Sequence, residues 1–357
     1  MQTNRPERAF LLVWLAIGVL LLLYWGSLHR DIVGPGESRV AQLAWEMHHN
    51  GNYLLPTFNG QVSRDTLTKP PLYHWLVIMA ALPFEWADFS LRLVSIASLF
   101  ASLWLTWLLG RRLFDSRTGA WAALVLASAF AFVPYGLSAR MDLLLATLVL
   151  AAMVALQRAL SEPEPQRRRH LLLFFVILGL AMMVKGPVGF IIPGSTALLL
   201  VGFTRGRREI RHFLPAWGIA LFLVIGLAWY LAVLFQVSPE LARNLFLDEP
   251  MNWAEGNAGG IQKQIWYYLP LMLGGLFPWS LFLFAALLAA LRTTWQEKQE
   301  PLLFLLFWFL GGLLLFSLGG KKAVRYLLPI LPAAALLTAW YFRELARRGR
   351  AGWGALA

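Results

Sequence analysis

The sequence predicts an all-α polytopic membrane protein of about ten transmembrane helices, with juxtamembrane helices on the outer leaflet in its first outward loop. Three observations lead there. Of 357 residues, 59% are hydrophobic and only 14% charged, a balance foreign to ordinary soluble domains. Apolar runs of about 17 to 24 residues recur from end to end, and because lipid satisfies no backbone polar groups these runs must be helices. The arginines gather in short loops between the runs, where they mark the cytoplasmic side. A barrel would need period-two alternation, which is absent.

The first span, 9–27, follows Arg5 and Arg8 as a secretory signal would. It is longer than a signal core and no small-x-small site follows, so it is expected as a retained helix. Further spans are expected at 91–109, 119–137, 143–160, 171–184, 187–203, 213–236, 265–290, 302–318 and 323–342. The run Pro70 to Phe84 offers about 15 residues, about 22 Å of helix against a hydrocarbon core of about 30 Å. It falls short, and charge agrees. With ten spans, 19 of the 31 Lys and Arg lie on the cytoplasmic side, whereas counting 70–84 as another span would export most of them. That run is therefore placed along the outer leaflet.

The remaining basic residues face outward, several at the tips of tight hairpins. The run 171–203 is about 50 Å as one helix, too long for one crossing, so it folds back near Lys185-Gly186-Pro187. By the same logic Arg140 and Asp142 cap the 119–160 hairpin, and Lys321, Lys322 and Arg325 cap that of 302–342. Glu37, Lys69, Asp142, Lys185 and the segment Lys321–Tyr326 thus converge on one membrane face. The chain is expected as one membrane domain, 1–357, with a first outward loop at 31–92, a second at 237–264, and no soluble C-terminal domain.

Composition excludes other classes. With no cysteine there is neither a disulfide framework nor thiol chemistry. The net charge of +12 is spent on topology, so nucleic acid is not an expected partner. No Gly-rich phosphate loop follows a strand, which argues against a cytoplasmic nucleotide-sugar donor.

Cations held at an apolar boundary need a counter-charge, and phosphate is the natural one. Glu37 and Asp142 then serve as general base or as metal ligands. Each has a plainer reading. Glu37, after Gly34-Pro35-Gly36, suits a turn or helix cap, and Asp142 suits a helix start. Lys69 and Lys185 suit interface anchors. The cluster Lys321, Lys322 and Arg325 offends the positive-inside tendency, which favours function. Glu46 with His48 and His49 offers a carboxylate–imidazole pair but no third metal ligand. His74 reads first as an interfacial aromatic, and the 17 tryptophans as interface belts. In the second outward loop Glu240, Asp248, Glu249, Asn252, Trp253, Glu255 and Asn257 suit either a carbohydrate surface or a solvated loop.

The motifs GPGESRVAQLAWEM, NGNYLLP, TKPPLYHWL, SLRLVS, ARMD, KGPVGFIIP and GGKKAVRYLLPILP, in this order, resemble the membrane part of the ArnT-like, PMT-related glycosyltransferases of the GT-C class. The resemblance implies inverting transfer of a sugar from a polyprenyl-phosphate donor to a lipid or envelope-glycan acceptor, commonly lipid A, on the periplasmic side of a bacterial inner membrane. It implies Glu37 and Asp142 as the catalytic acids. Lys69, Arg140, Lys185, Lys321, Lys322, Arg325 and Tyr326 would line the donor-phosphate cavity, with Arg39, Tyr73 and His74 toward substrate. A divalent metal is possible and its ligands are unknown. The chain departs from the family at Gly36-Glu37, where Asp-Glu is typical, so the first acid is displaced by one residue or its role has shifted. It departs again at Thr68, where an acid often precedes the KPP lysine, which argues against the zinc site of some relatives. The rival reading is a flippase or transporter of a lipid-linked glycan, against which stand charges at span ends rather than mid-bilayer and the lack of a clear repeat. A non-catalytic assembly subunit is a third.

Overall fold

The computed structural model of the chain describes residues 30–32, 34–248, 251, 265–297, 299–320 and 322–354, with scattered positions between 11 and 22. Most of the expected span 9–27, Lys321, and the residues Glu249, Asn252, Trp253, Glu255 and Asn257 of the second loop lie outside the described residues.

The first loop begins with helix α1, Pro35–His49, and its entry explains the GPG motif. Gly34 has φ 91°, open to glycine at little cost, and Pro35 occupies the first turn where its missing N–H is no loss. After a turn with Asn59 and Gly60 at positive φ comes α2, Leu72–Ala81, which runs into a short 3-10 turn, Leu82–Phe84. Ten residues make about 15 Å of helix, so this run does not cross a bilayer. Its buried Tyr73, Val77, Ile78 and Ala81 pack with Val40, Ala44 and Met47 of α1 instead.

Beyond it follow α3 (Asp88–Leu113), α4 (Ser116–Ala127), α5 (Met141–Ser161), α6 (Gln166–Lys185), α7 (Val188–Thr204) and α8 (Ala216–Leu234). The chain continues with α9 (Tyr268–Gly275), α10 (Ser280–Glu297), α11 (Glu300–Leu318) and α12 (Leu331–Gly354). Among the described residues there is no strand, only the isolated bridge Phe58–Gln61. Among the described residues five segments are long and apolar enough to cross a membrane, namely α3, α5, α8, α11 and the stretch Val324–Arg348, and a sixth if the bent pair α9–α10 counts as one. The protein is a multi-pass membrane protein.

Two expected spans are not single straight helices. The run 119–137 ends its helix at Ala127, where Ser128 Oγ donates to the Leu124 carbonyl, and resumes only as a short turn at Val133–Gly136. The run 265–290 bends by 114° between α9 and α10.

Helix α5 is the best enclosed crossing helix apart from the final one, and α6 and α3 flank it. Where lipid supplies no hydrophobic drive, close contact of small residues supplies dispersion. Gly179 of α6 lies against Ile225 of α8, and Gly226 against Met182, so a methyl at either glycine would overlap the partner helix. One end of the bundle is tied by Arg112–Glu162 at 2.8 Å, Arg343–Asp115 at 2.8 Å and Arg205 donating to the Leu160 carbonyl at 2.7 Å. The antiparallel α5–α6 pair brings Asp142 and Lys185 together at the opposite end.

Candidate active site

Asp142 stands in the first turn of α5, its side chain 7% exposed. Its Oδ1 is met by the Lys185 ammonium and lies 3.6 Å from Arg325 Nε. Lys185 is the last residue of α6. The chain escapes there through Gly186, at φ 74°, into Pro187, and Gly189 presses onto the Ala181 carbonyl where no side chain would fit. The KGPVG motif is therefore the hairpin itself, aimed at Asp142. Tyr326 lies beneath, with Lys185 Nζ 4.9 Å and Arg325 Cζ 5.6 Å from its ring centre, and is itself stacked on Phe316. One carboxylate facing two cations over an aromatic floor leaves net positive charge, and a phosphate can complete it. Asp142 Oδ2 takes no hydrogen bond among the described residues.

Glu37 belongs to a different arrangement. Its Oε1 accepts from Arg92 Nε at 3.1 Å and from the Ala139 N–H at 2.7 Å, while Oε2 accepts from Arg92 Nη2 and Arg30 Nη2, both at 3.3 Å. Four bonds fill the capacity of a carboxylate. Burial raises its pKa, but the hydrogen bonds from Arg92 and Ala139 and the charges of Arg92 and Arg30 outweigh it, and the carboxyl sits below its ordinary range. With all four acceptor sites taken, this carboxylate works as a clamp in the fold. It ties α1 to α3 and to the segment entering α5.

Tyr73 and His74 are both buried. Tyr73 is fully buried, and its hydroxyl meets Ser95 Oγ at 2.9 Å, which in turn donates to the Arg140 carbonyl at 3.2 Å. The hydrogen-bonding capacity of Tyr73 is spent on positioning Arg140. His74 is 2% exposed with no partner on either ring nitrogen, and burial, aided by the Arg39 charge, pushes it down to about 4. It is a neutral packing group. Arg39 donates to the Asp65 carbonyl and edges an outward cavity of about 340 Å³ beside Ser38, Gln42 and Phe58.

Lys322 lies at the end of α11. Its ammonium donates to the carbonyls of Ser317 at 2.5 Å and Gly319 at 2.8 Å, closing the C-terminus of α11 rather than joining Asp142. Lys69 is half-buried and extended just before Pro70, as a residue preceding proline should be. Glu46 accepts from Thr57 Oγ1, Gln42 Nε2 and the backbone N–H of Asn59 and Gly60, and so holds the left-handed turn rather than a metal. Among the described residues no three His, Asp or Glu side chains gather to hold a metal ion.

Sequence reasoning missed Arg92 and Ser95. Both sit in SLRLVS, three apart on one face of α3, and an arginine inside an apolar run near a span start was the available signal; it is fully buried.

Residues 68–231 match the family model described as dolichyl-phosphate-mannose-protein mannosyltransferase. The chain is 32% identical over 314 residues to undecaprenyl phosphate-alpha-4-amino-4-deoxy-L-arabinose arabinosyl transferase 1 of Pseudomonas fluorescens, covering 85% of this chain and 52% of that one. It is 30% identical over 324 residues to the corresponding transferase 2 of Proteus mirabilis, covering 88% and 56%. It thus spans about half the length of the curated relatives it matches. The crystal structure of ArnT from Cupriavidus metallidurans bound to undecaprenyl phosphate superposes with a TM-score of 0.82 at 24% identity, over 96% of this chain and 61% of that one. The apo oligosaccharyltransferase of Archaeoglobus fulgidus gives 0.66 at 14% identity, over 100% and 52%. The chain has the GT-C-like fold of a polytopic membrane protein, and in sequence and fold together it is similar to the ArnT-like, PMT-related glycosyltransferases.

Proposed function

We propose that this chain is an inverting glycosyltransferase that moves a sugar from a polyprenyl-phosphate donor to a lipid or envelope-glycan acceptor, lipid A-like in class, at the periplasmic face of a bacterial inner membrane. The observation that carries the reading is the group of Asp142, Lys185, Arg325 and Tyr326 at one end of the bundle. The relative crystallised with undecaprenyl phosphate supports the donor class.

In this reaction an acceptor oxygen attacks the anomeric carbon, and the bond from that carbon to the phosphate oxygen breaks with its electron pair left on phosphate. A diester anion becomes a monoester with one more negative charge. Lys185 and Arg325 stabilise that charge as it develops, and Asp142 holds both cations in place. When the acceptor is a hydroxyl, its proton passes to Asp142 Oδ2. When it is a phosphate oxygen, no base is needed. Glu37, Tyr73 and Ser95 act as positioning residues that fix the 139–140 backbone.

The reading is tested by following radiolabelled sugar from a polyprenyl monophosphate donor to extracted envelope lipids, with the full chain in detergent. Label transferred by wild type and lost in Asp142→Asn supports it. Movement of the intact lipid-linked sugar across proteoliposomes without any transferred product overturns it in favour of a flippase.

A further inference from the structure

Gly36 does not need to be glycine for its backbone, since its φ lies outside the left-handed region. Its lack of a side chain instead gives room to a neighbour. A Cβ built there would overlap the Arg140 guanidinium, which is seated against the α1 backbone at that point. Arg140 is half-buried, and among the described residues its guanidinium makes no hydrogen bond and no ion pair.

Its neighbours are already committed. Glu37 is filled by Arg92, Arg30 and Ala139, and Asp142 Oδ1 faces Lys185 and Arg325. Its backbone, by contrast, is pinned. The Ala139 N–H is held by Glu37, and the Arg140 N–H and carbonyl both meet Ser95 Oγ, at 3.4 and 3.2 Å. A cation this well positioned, partly desolvated and with no bonded counter-charge among the described residues, favours an anion that joins it.

We propose that Gly36 and Arg140 form a seat for an anionic oxygen, phosphate in class, carried by one of the two substrates, and that Gly36 is a specificity-determining position because any side chain there displaces the guanidinium. This rests on the transferase reading above. It explains why the first acidic position of the motif is empty here: a carboxylate at position 36 would take the place of the incoming anion.

The test measures binding of two probes, polyprenyl monophosphate and a monophosphorylated glycolipid, to wild type, Gly36→Ala, Arg140→Ala and the double variant, with Arg140→Lys as the charge-keeping control. The seat predicts that Gly36→Ala and Arg140→Ala each weaken one and the same probe by about tenfold or more. It predicts partial retention in Arg140→Lys and a double variant no worse than Arg140→Ala. Loss confined to polyprenyl monophosphate assigns the oxyanion to the donor, and loss confined to the glycolipid assigns it to the acceptor. Wild-type affinity for both probes in Arg140→Ala and Gly36→Ala, or additive losses in the double variant, would overturn the seat. Failure of wild type to bind either probe would instead overturn the transferase reading, and the seat with it.

Discussion

Glu37 Oε1 accepts the Ala139 N–H at 2.7 Å, and this bond joins the first loop to the segment that delivers Arg140 and Asp142 into the site. The same carboxylate neutralises Arg92, which has no exposed surface. Glu37→Gln removes the negative charge that faces this buried guanidinium, a loss of about 3 kcal/mol. A lower melting temperature in detergent is expected, together with loss of transfer. A variant as stable as wild type yet inactive would return Glu37 to the chemistry.

Acid sensitivity follows from the same clamp and from Glu46. Both carboxyls lie below their usual range in the folded chain, so both stabilise it above about pH 4.5 and lose that contribution as pH falls through their lowered native values. Melting curves taken downward from about pH 7 should show the loss. Glu46→Gln should flatten the acid limb, and an unchanged limb would mean that Glu46 does not contribute to it.

His74 should behave in the opposite sense to a catalytic histidine. Its folded pKa of about 4 lies below the ordinary 6.5, so the unfolded chain takes up the proton first and stability falls as pH drops through about 6.5. His74→Leu removes a buried orphan donor of similar volume. It should raise the melting temperature more at about pH 5 than at about pH 8 and leave the pH profile of transfer unmoved. A shifted activity profile would show that His74 acts on substrate.

Lys322 separates capping from phosphate binding. Lys322→Met uncovers the last carbonyls of α11 and should cost about 1 to 2 kcal/mol of stability. Polyprenyl monophosphate affinity should stay within about twofold of wild type, and a tenfold loss without destabilisation would return Lys322 to the donor site.

Hairpin length and arginine sidedness were enough to bring Asp142, Lys185 and Arg325 to one face, because both depend only on distance along a helix and on charge. The short run ending at Phe84 was legible for the same reason. The inward turn of Tyr73 and His74 was not, since LYHWLVIMAA is apolar nearly all round and only packing against α1 and α3 selects the buried face. The partner of Glu37 was hidden because Arg92 lies 55 residues away and looks like an interface anchor. The spacing role of Gly36 depends on where Arg140 arrives, which no local pattern records. The breaks after Ala127 and between α9 and α10 lie inside apolar runs, where hydropathy does not register a bend.

The central claim is that Lys185, held by Asp142 over Tyr326, binds the donor phosphate. Its most direct test is the affinity of polyprenyl monophosphate for Lys185→Met against wild type, measured in detergent on chains that melt within a few degrees of each other. The account predicts a loss of at least about tenfold, with transfer slowed by about a hundredfold. Undiminished affinity with normal turnover would contradict it.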